Sequence, residues 1–595
     1  MPEWYQAHKL STSDRDFVSS QYLTSQLIAY IGNKRRMLGF LYRIFSQLNE
    51  RHPISRFIDP FAGSGSVSRL ARQMGFEVAA NDWEEYSRVI NRAYLTNRPC
   101  DLDPLFEKRG GIRAVLNTLN TLDNGPAHPY ISAYYAPLRT EAANYRTERL
   151  FYTRENALFI DRVRERIEEW YPPDDPDSGK SRARDLLLSL LLYEAATHVN
   201  TSGVFKAYHK GFGGHGGDAL KRIMSPMQLE FPVLHPSTAA AEVEQLDAAR
   251  FLEARSGDLC YLDPPYTIHQ YGSNYHMLNT IARWDFPQVD NRLGPDGRLR
   301  RKAGIRSDWV QTRSDFCYAR TAPGALEEVL QATDARFVVL SYNSDGVIPM
   351  GELLEILSGH GKVEINSLEY ITYRGGRQSI RRQIHNTEFQ IVVERTACRG
   401  KGKSLGGGAE AADMERLLTA LKIQSLLQGS FVPQRLLHTF PAPALGGNGD
   451  QGDKDERSDD SRIHLFSGGE GQGLKTEKFY RFLETPSIPR LQELSLSELE
   501  RIGAGLEEAA CSTRQEELQV LLAILEDCTD ERSQDMYQRR ILHVLKKFTH
   551  RKYIDQWREE MKRLEDYVCR KDGQVKVLRE GLSELAELAR RRFEG

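Results

Sequence analysis

Gly257-Asp258-Leu259-Cys260-Tyr261-Leu262-Asp263-Pro264-Pro265-Tyr266 is the stretch on which the reading of the chain turns. Leu259 to Leu262 are a short apolar run, the pattern of a strand buried on both faces of a parallel sheet. Two consecutive prolines cannot donate to a ladder, and the first disfavours helical geometry in its predecessor, so the strand should stop at Asp263. A carboxylate, a rigid turn with free carbonyls and an aromatic ring then arrive together at the carboxyl end of a strand, where open α/β sheets bind ligands. A carboxylate and carbonyls can accept hydrogen bonds from an amino group, and a ring can lie against a flat base. An ordinary strand-ending turn would look the same, so the remainder of the chain has to decide.

Upstream, Arg56-Phe57-Ile58-Asp59-Pro60-Phe61-Ala62-Gly63-Ser64-Gly65-Ser66-Val67 reads as a strand end, a glycine turn and a helix running to Met74. Gly63 and Gly65 permit a tight turn, and Ser64 or Ser66 is expected to cap the helix. The turn should aim backbone amides at whatever lies above the sheet. It is not a GxGxxG, which weakens a dinucleotide reading. A second strand, Phe76 to Ala80, ends at Asn81-Asp82, placing an acid where a ribose hydroxyl pair is gripped. Val243 to Ala248 supplies a further strand-end acid, Asp247. Before these elements, Gln21 to Gln47 is a helix-rich lead-in interrupted by Ile31-Gly32-Asn33-Lys34-Arg35-Arg36, which by itself is a turn and a solvated helix start.

Residues 97 to 240 break the βα rhythm with helices expected at roughly Ala142 to Trp170 and Ser181 to His198. The stretch Asn200 to Gly217 interleaves Lys206, His209 and Lys210 with rings and glycines. That pattern suits phosphate and base contacts, and equally suits a solvated flexible loop. Arg298, Arg300, Arg301, Lys302 and Arg306 form a basic run near the supposed site, favouring DNA contact. Phe337 to Leu340 reads as a strand. Val363 to Tyr373 and Phe389 to Val393 read as a closing hairpin whose loop carries Arg374, Arg377, Arg381 and Arg382.

At 595 residues the chain exceeds one core. Its 40% hydrophobic and 27% charged residues are ordinary for a globular protein, and a net charge of -2 confines any nucleic-acid affinity to local basic patches. Seven cysteines without a CxxC pair read as reduced thiols, giving neither a zinc site nor a disulfide frame. A polar, acid-bearing start and the lack of a membrane-length apolar stretch lead to the expectation of a cytoplasmic protein with no metal. Gly/Asp/Ser-rich segments at 406–408 and 446–473 have linker composition, with a short helix between them at Met414 to Leu427. From Lys475 the pattern is helical, with capping boxes at Ser495/Glu498 and Thr513/Glu516 and a Leu578, Leu582, Leu585 stripe.

Gly32-Asn33-Lys34, Asp59 to Gly65, Asp82, Asp247 and Asp263 to Tyr266, in that order, resemble the Dam-like family of adenine-specific DNA methyltransferases over roughly residues 20 to 397. The resemblance implies an α/β, Rossmann-like methyltransferase sheet with an antiparallel closing hairpin. The catalytic core would comprise 21–96 and 241–397, with an N-terminal arm at 1–20 and a target-recognition insertion at 97–240. A linker at 398–474 and a helical region at 475–595 would follow. The implied cofactor is S-adenosylmethionine, held by Lys34, Asp59, Pro60, Phe61, Gly63, Ser64 and Gly65, with its ribose at Asp82 and its adenine at Asp247. The implied partner is double-stranded DNA, contacted by Lys206, His209, Lys210, Arg298, Arg300, Arg301, Arg377 and Arg381. Asp263, Pro264, Pro265 and Tyr266 would act on the exocyclic amine of a flipped adenine. The leading Asp rather than Ser disfavours a cytosine-methylating relative. The contrasting reading is a DNA-binding or assembly subunit of a restriction or phage-defence system with an idle cofactor pocket. On either reading the helical region is expected to serve a protein partner or self-association.

Overall fold

The computed structural model describes residues 5–8, 10–173, 178–214, 217, 219–343, 346–368, 388–395, 531–546, 554–570 and 575–594, with isolated positions 419, 497, 518, 522 and 525. Two compact units divide them: one holds everything described up to residue 395, the other everything from 419 onward. The expected linker segments, the Met414 to Leu427 helix apart from Thr419, both capping boxes and the loop carrying Arg374, Arg377, Arg381 and Arg382 lie outside the described residues.

The larger unit is built on an eight-stranded sheet, with strands β1 (Tyr5–His8), β2 (Arg56–Asp59), β3 (Glu77–Asn81), β4 (Ala241–Glu244), β5 (Leu259–Leu262), β6 (Phe337–Asn343), β7 (Lys362–Leu368) and β8 (Glu388–Glu394). Their order is β1-β7-β8-β6-β5-β2-β3-β4. The apolar run is strand β5, and Leu259 to Leu262 are at most 1% exposed, as expected of a central strand with side chains buried on both faces. It pairs in parallel with β2 and with β6. Register sets Ile58 beside Cys260 and Leu340 beside Leu262, so β2, β5 and β6 present their carboxyl ends along one edge. The chain leaves β2 outward through β3 and β4 and returns on the other side of β2 as β5. The order reverses there, and such a reversal opens a crevice above the sheet.

The closing hairpin forms as expected, with β8 antiparallel to both β7 and β6 and inserted between them. Antiparallel insertion puts the start of β8 at the edge where the parallel strands end. Tyr5–His8, read from sequence as part of an arm, instead pairs in parallel with β7 at the sheet margin.

Helix Glu85–Thr96 packs on β3 and β4, and helix Ser178–Thr197 lies against it and against Arg154–Trp170 and His276–Arg283. The expected helix at 142–170 begins only at Arg154. The Thr153 hydroxyl accepts from the Asn156 amide as its N-cap, and the preceding backbone is engaged elsewhere. The Phe151 amide donates to the Tyr135 carbonyl, and the Asn200 amide donates to the Phe151 carbonyl.

In the smaller unit, helices Glu531–Lys546, Ile554–Arg570 and Lys576–Glu594 share a core that includes Ile541, Trp557, Leu564, Leu578, Leu582 and Leu585. The leucine stripe is therefore a packing face. The helices come close enough that a Cβ on Gly581 would collide with Leu542. No described helix is long and apolar enough to cross a membrane.

Leu340 of β6 has no exposed surface. Leu340→Ala should cost about 2–5 kcal/mol of stability through lost burial and a residual cavity. A lowered urea midpoint with an unchanged slope in denaturation of the full chain would register it.

Candidate active site

The Gly32–Lys34 turn places a cation under the crevice. Gly32 adopts φ +75°, and the Asn33 side chain caps the short 3-10 helix Lys34–Met37 by accepting from the Arg35 amide at 2.7 Å. Lys34 is driven inward, with 2% of its side chain exposed, and its Nζ lies 3.0 Å from Asp263 Oδ1. The same ammonium donates to the Tyr266 hydroxyl and the Gly32 carbonyl, both at 3.1 Å, and to Glu388 Oε1 at 3.3 Å. Burial alone would lower the Lys34 pKa, but Asp263, Tyr266 and Glu388 reverse this and hold it well above the usual lysine range. Burial raises the Asp263 carboxyl to about 6 despite the opposing pull of Lys34.

The glycine turn works differently from its sequence reading. Neither Ser64 nor Ser66 caps the helix Ser66–Gln73; Gly65 is the N-cap, in left-handed geometry and with no side-chain bond. Gly65 lies outside the cavity lining, and a Cβ there would sit 2.6 Å from Asn91 Oδ1. Its place is conformational. Gly63 does line the cavity, and its amide donates to Asp82 Oδ2 at 2.8 Å, tying the turn to the end of β3. Asp82 Oδ1 accepts from the Glu84 amide at 2.9 Å. The Ser68 hydroxyl donates to Asp59 Oδ2 at 2.6 Å. Burial pushes Asp59 and Glu84 up to about 7 and raises Asp82 as well. Asp247 caps the following helix, with Oδ1 accepting from the Ala249 and Arg250 amides at 3.0 and 3.3 Å.

One cavity joins these elements. Its lining includes Lys34, Asp59, Pro60, Phe61, Gly63, Ser64, Asp82, Asp247 and the Asp263 to Tyr266 turn. Tyr30, Trp83 and Leu246, which sequence reasoning did not assign to the site, also line it, as does Tyr271 from the aromatic stretch expected to crowd a loop beyond the proline turn. Trp83 and Leu246 are 40% and 39% exposed although large and apolar, so they offer a greasy slot at the β3–β4 end. Tyr30 stacks on Tyr275 with centroids 4.8 Å apart and approaches Tyr271 at 5.1 Å. Tyr271 donates to the Ile31 carbonyl at 3.0 Å, and the Ile31 amide donates to the Tyr275 hydroxyl at 2.7 Å. Their nearness to Gly32-Asn33-Lys34 and to the proline turn was the available signal. The roof includes Ser314 and Phe316. Gln270 clasps Ser314 through both its backbone groups, at 2.9 and 3.1 Å, and Phe316 meets Phe61 edge-on.

The family comparison agrees with this geometry. A family model for D12 class N6 adenine-specific DNA methyltransferases matches residues 30–305. Type II methyltransferase M.NlaIII of Neisseria lactamica is 31% identical over 371 residues, covering 99% of that protein and 62% of this chain. The chain belongs to this family. Type II methyltransferase M.CviAII of Paramecium bursaria Chlorella virus 1 is 27% identical, again over 99% of its length. Against Type II methyltransferase M.FokI of Planomicrobium okeanokoites the identity is 26%, and this chain spans about half, 52%, of that protein. No solved structure matches. The protein is thus an adenine-specific DNA methyltransferase, and its chemistry requires a methyl donor.

The residues expected to meet DNA divide three ways in this methyltransferase. Lys206, Lys210, Arg298, Arg300 and Arg301 are exposed, whereas His209 is half-buried. Arg377 and Arg381 lie outside the described residues. Arg306 from the same basic run is buried instead, paired with Asp285 at 2.5 Å and Asp308 at 2.6 Å. The Gly/aromatic stretch is pinned by Asn200, whose side chain donates to Leu150 O at 2.9 Å and to His209 O and Gly211 O at 3.3 Å. Lys210 Nζ lies 5.7 Å from the Tyr145 ring, and Arg146, Lys210 and Arg298 together lower that phenol, Arg146 most strongly. Among the described residues no cluster of three or more His, Cys, Asp or Glu is arranged to hold a metal.

Gly65→Ala should lose about 1–3 kcal/mol, because a side chain is strained at φ +78° and would press on Asn91. The loss should be smaller in an Asn91→Ala background, since the clashing oxygen is gone; urea denaturation of the four proteins of that cycle checks it.

Proposed function

We propose that this methyltransferase methylates the exocyclic amine of an adenine extruded from duplex DNA, using S-adenosylmethionine, within a type II modification system. The supporting observation is the joining of the strand-end acids and the Asp263-Pro264-Pro265-Tyr266 turn in one cavity. The cavity suits the donor. Trp83 and Leu246 supply an apolar slot for an adenine, Asp82 stands at the ribose position, and buried carboxylates surround a space that would take a cation. Lys34, Asp59, Pro60, Phe61, Gly63 and Ser64 would meet the amino-acid end, and Asp247 would lie by the donor's adenine. When bound, the donor supplies an electrophilic methyl group on a sulfonium.

The target base is inaccessible within a duplex, so it must be rotated out of the stack. Tyr266 offers the ring on which it rests. The amino lone pair is delocalised into the purine, which makes the nitrogen a poor nucleophile. Asp263 and the Pro264 carbonyl accept its two hydrogens, and these bonds strengthen as the nitrogen becomes tetrahedral, so they favour the transition state over the ground state. As the nitrogen takes the methyl group it must release one proton, and Asp263, with its elevated proton affinity, is placed to hold it. Holding both partners in line accounts for much of the remaining rate. The Lys210, Arg298 and Arg146 patch contacts phosphates, with Lys206, Arg300 and Arg301 extending it. The smaller helical unit serves a partner or self-association.

Asp263→Ala should lower methyl transfer by about 10²–10³-fold. Donor binding by calorimetry should survive, and an active variant in a radiolabelled-methyl assay would end the assignment. Asp263 must be ionised to accept, and its raised pKa places the change near pH 6. The kcat/KM should therefore be constant above that pH and fall about tenfold per unit below it. Lys34→Gln should shift this limb upward, because Lys34 favours the ionised form. Arg298→Ala should weaken binding to all sequences alike and reduce the salt slope by about one; a change confined to one sequence would contradict a phosphate contact.

A further inference from the structure

Glu388 belongs to none of the motifs and lies outside the family match at residues 30–305. As the first residue of β8 it pairs in register with Asn343, the last residue of β6. A strand running against its neighbours begins where they end, so Glu388 reaches the ligand edge of the sheet. Its side chain is 12% exposed. Glu388 Oε1 accepts the Tyr266 hydroxyl proton at 2.9 Å and lies 3.3 Å from Lys34 Nζ. The rest of Tyr266 is held from other directions. The Val347 amide donates to its carbonyl at 3.1 Å, and the Tyr342 ring meets its ring edge-on at 5.6 Å. The hydroxyl end of the ring is thus fixed by Glu388 and Lys34 together.

We propose that Glu388 is a positioning residue for methyl transfer: it fixes the tilt of the Tyr266 ring on which the extruded adenine rests, and it shares the Lys34 ammonium with Asp263. This rests on the reading that Tyr266 stacks the flipped base. An ammonium has three protons to give, and every one spent on Glu388 is withheld from Asp263. Glu388 also acts on Asp263 directly as a like charge, which raises its proton affinity. Among the described residues, the titratable and charged groups facing Asp263 are Lys34, Glu388, Asp59, Tyr261, Tyr266 and Tyr271. Burial holds the tyrosines neutral, so among these described groups Lys34, Asp59 and Glu388 carry the charge.

The two roles separate by substitution. Glu388→Gln keeps an oxygen for the Tyr266 hydroxyl but removes the charge; Glu388→Ala removes both; Tyr266→Phe removes the hydroxyl alone. The full-length variants would be compared on duplex DNA with 2-aminopurine at the methylated position, and by kcat/KM against pH. Expected for Glu388→Ala is a kcat lowered about tenfold with weakened 2-aminopurine enhancement, and little further loss when combined with Tyr266→Phe. Glu388→Gln should retain the fluorescence response while the acid limb moves to lower pH. Donor binding and melting temperature close to wild type would show that the fold is intact. Wild-type fluorescence, kcat and pH profile in both Glu388 variants would overturn the proposal, as would equal damage from the Gln and Ala variants or fully additive losses with Tyr266→Phe. Failure of the wild-type protein to methylate adenine would instead remove the underlying reading.

Discussion

The Lys34 ammonium is the interaction around which the ligand edge of the sheet is arranged. An ammonium with 2% of its side chain exposed must have anions or carbonyls around it, since an unpaired charge at such a depth would be neutralised instead. Here the partners come from three separate parts of the chain: the turn after β5, the start of β8 and the loop that carries Lys34 itself. Removing either acid leaves Lys34 less compensated and changes its hold on the other, so the group behaves as a unit. That is why the aromatic ring of the proline turn, the acid that opens it and an acid some 120 residues later are held in one geometry.

The sheet explains how these groups meet. Parallel strands deliver their ends to one edge, and the reversal between β2 and β5 leaves an opening there. The antiparallel β8 contributes its beginning to the same edge. Burial then raises the proton affinity of the carboxyls at that edge, Asp59, Asp82, Glu84 and Asp263. A cation brought among such carboxyls would offset the cost of their burial.

The alignment with M.NlaIII uses 62% of this chain, leaving 38% without a counterpart there. Beyond the family match at residues 30–305, the described helices of the smaller unit form a core of their own that includes Leu564 and Leu578. The unit is therefore stabilised by its own buried face. The described residues lining the cavity belong to the larger unit.

Local residue chemistry determined a good deal by itself. The apolar run stopped by two prolines fixed β5 and its terminal acid, because prolines act through their own covalent geometry whatever surrounds them. The order of the glycine turn, the strand-end acids and the proline turn identified the family, and the last two strand-like stretches were readable as a closing hairpin. Tertiary structure alone decided the rest. Gly65 rather than a serine caps its helix, because a left-handed turn backed by Asn91 has no room for a side chain. Arg306 is an internal ion-pair residue rather than a DNA contact, a difference that depends on Asp285 lying across from it. Glu388 had no signature at all: a lone glutamate at a strand start means nothing until antiparallel pairing places it beside Lys34 and Tyr266. Propensity and covalent constraint act over a few residues and can be read along the chain. Burial, charge pairing and strand insertion act between distant segments and exist only once the chain has folded.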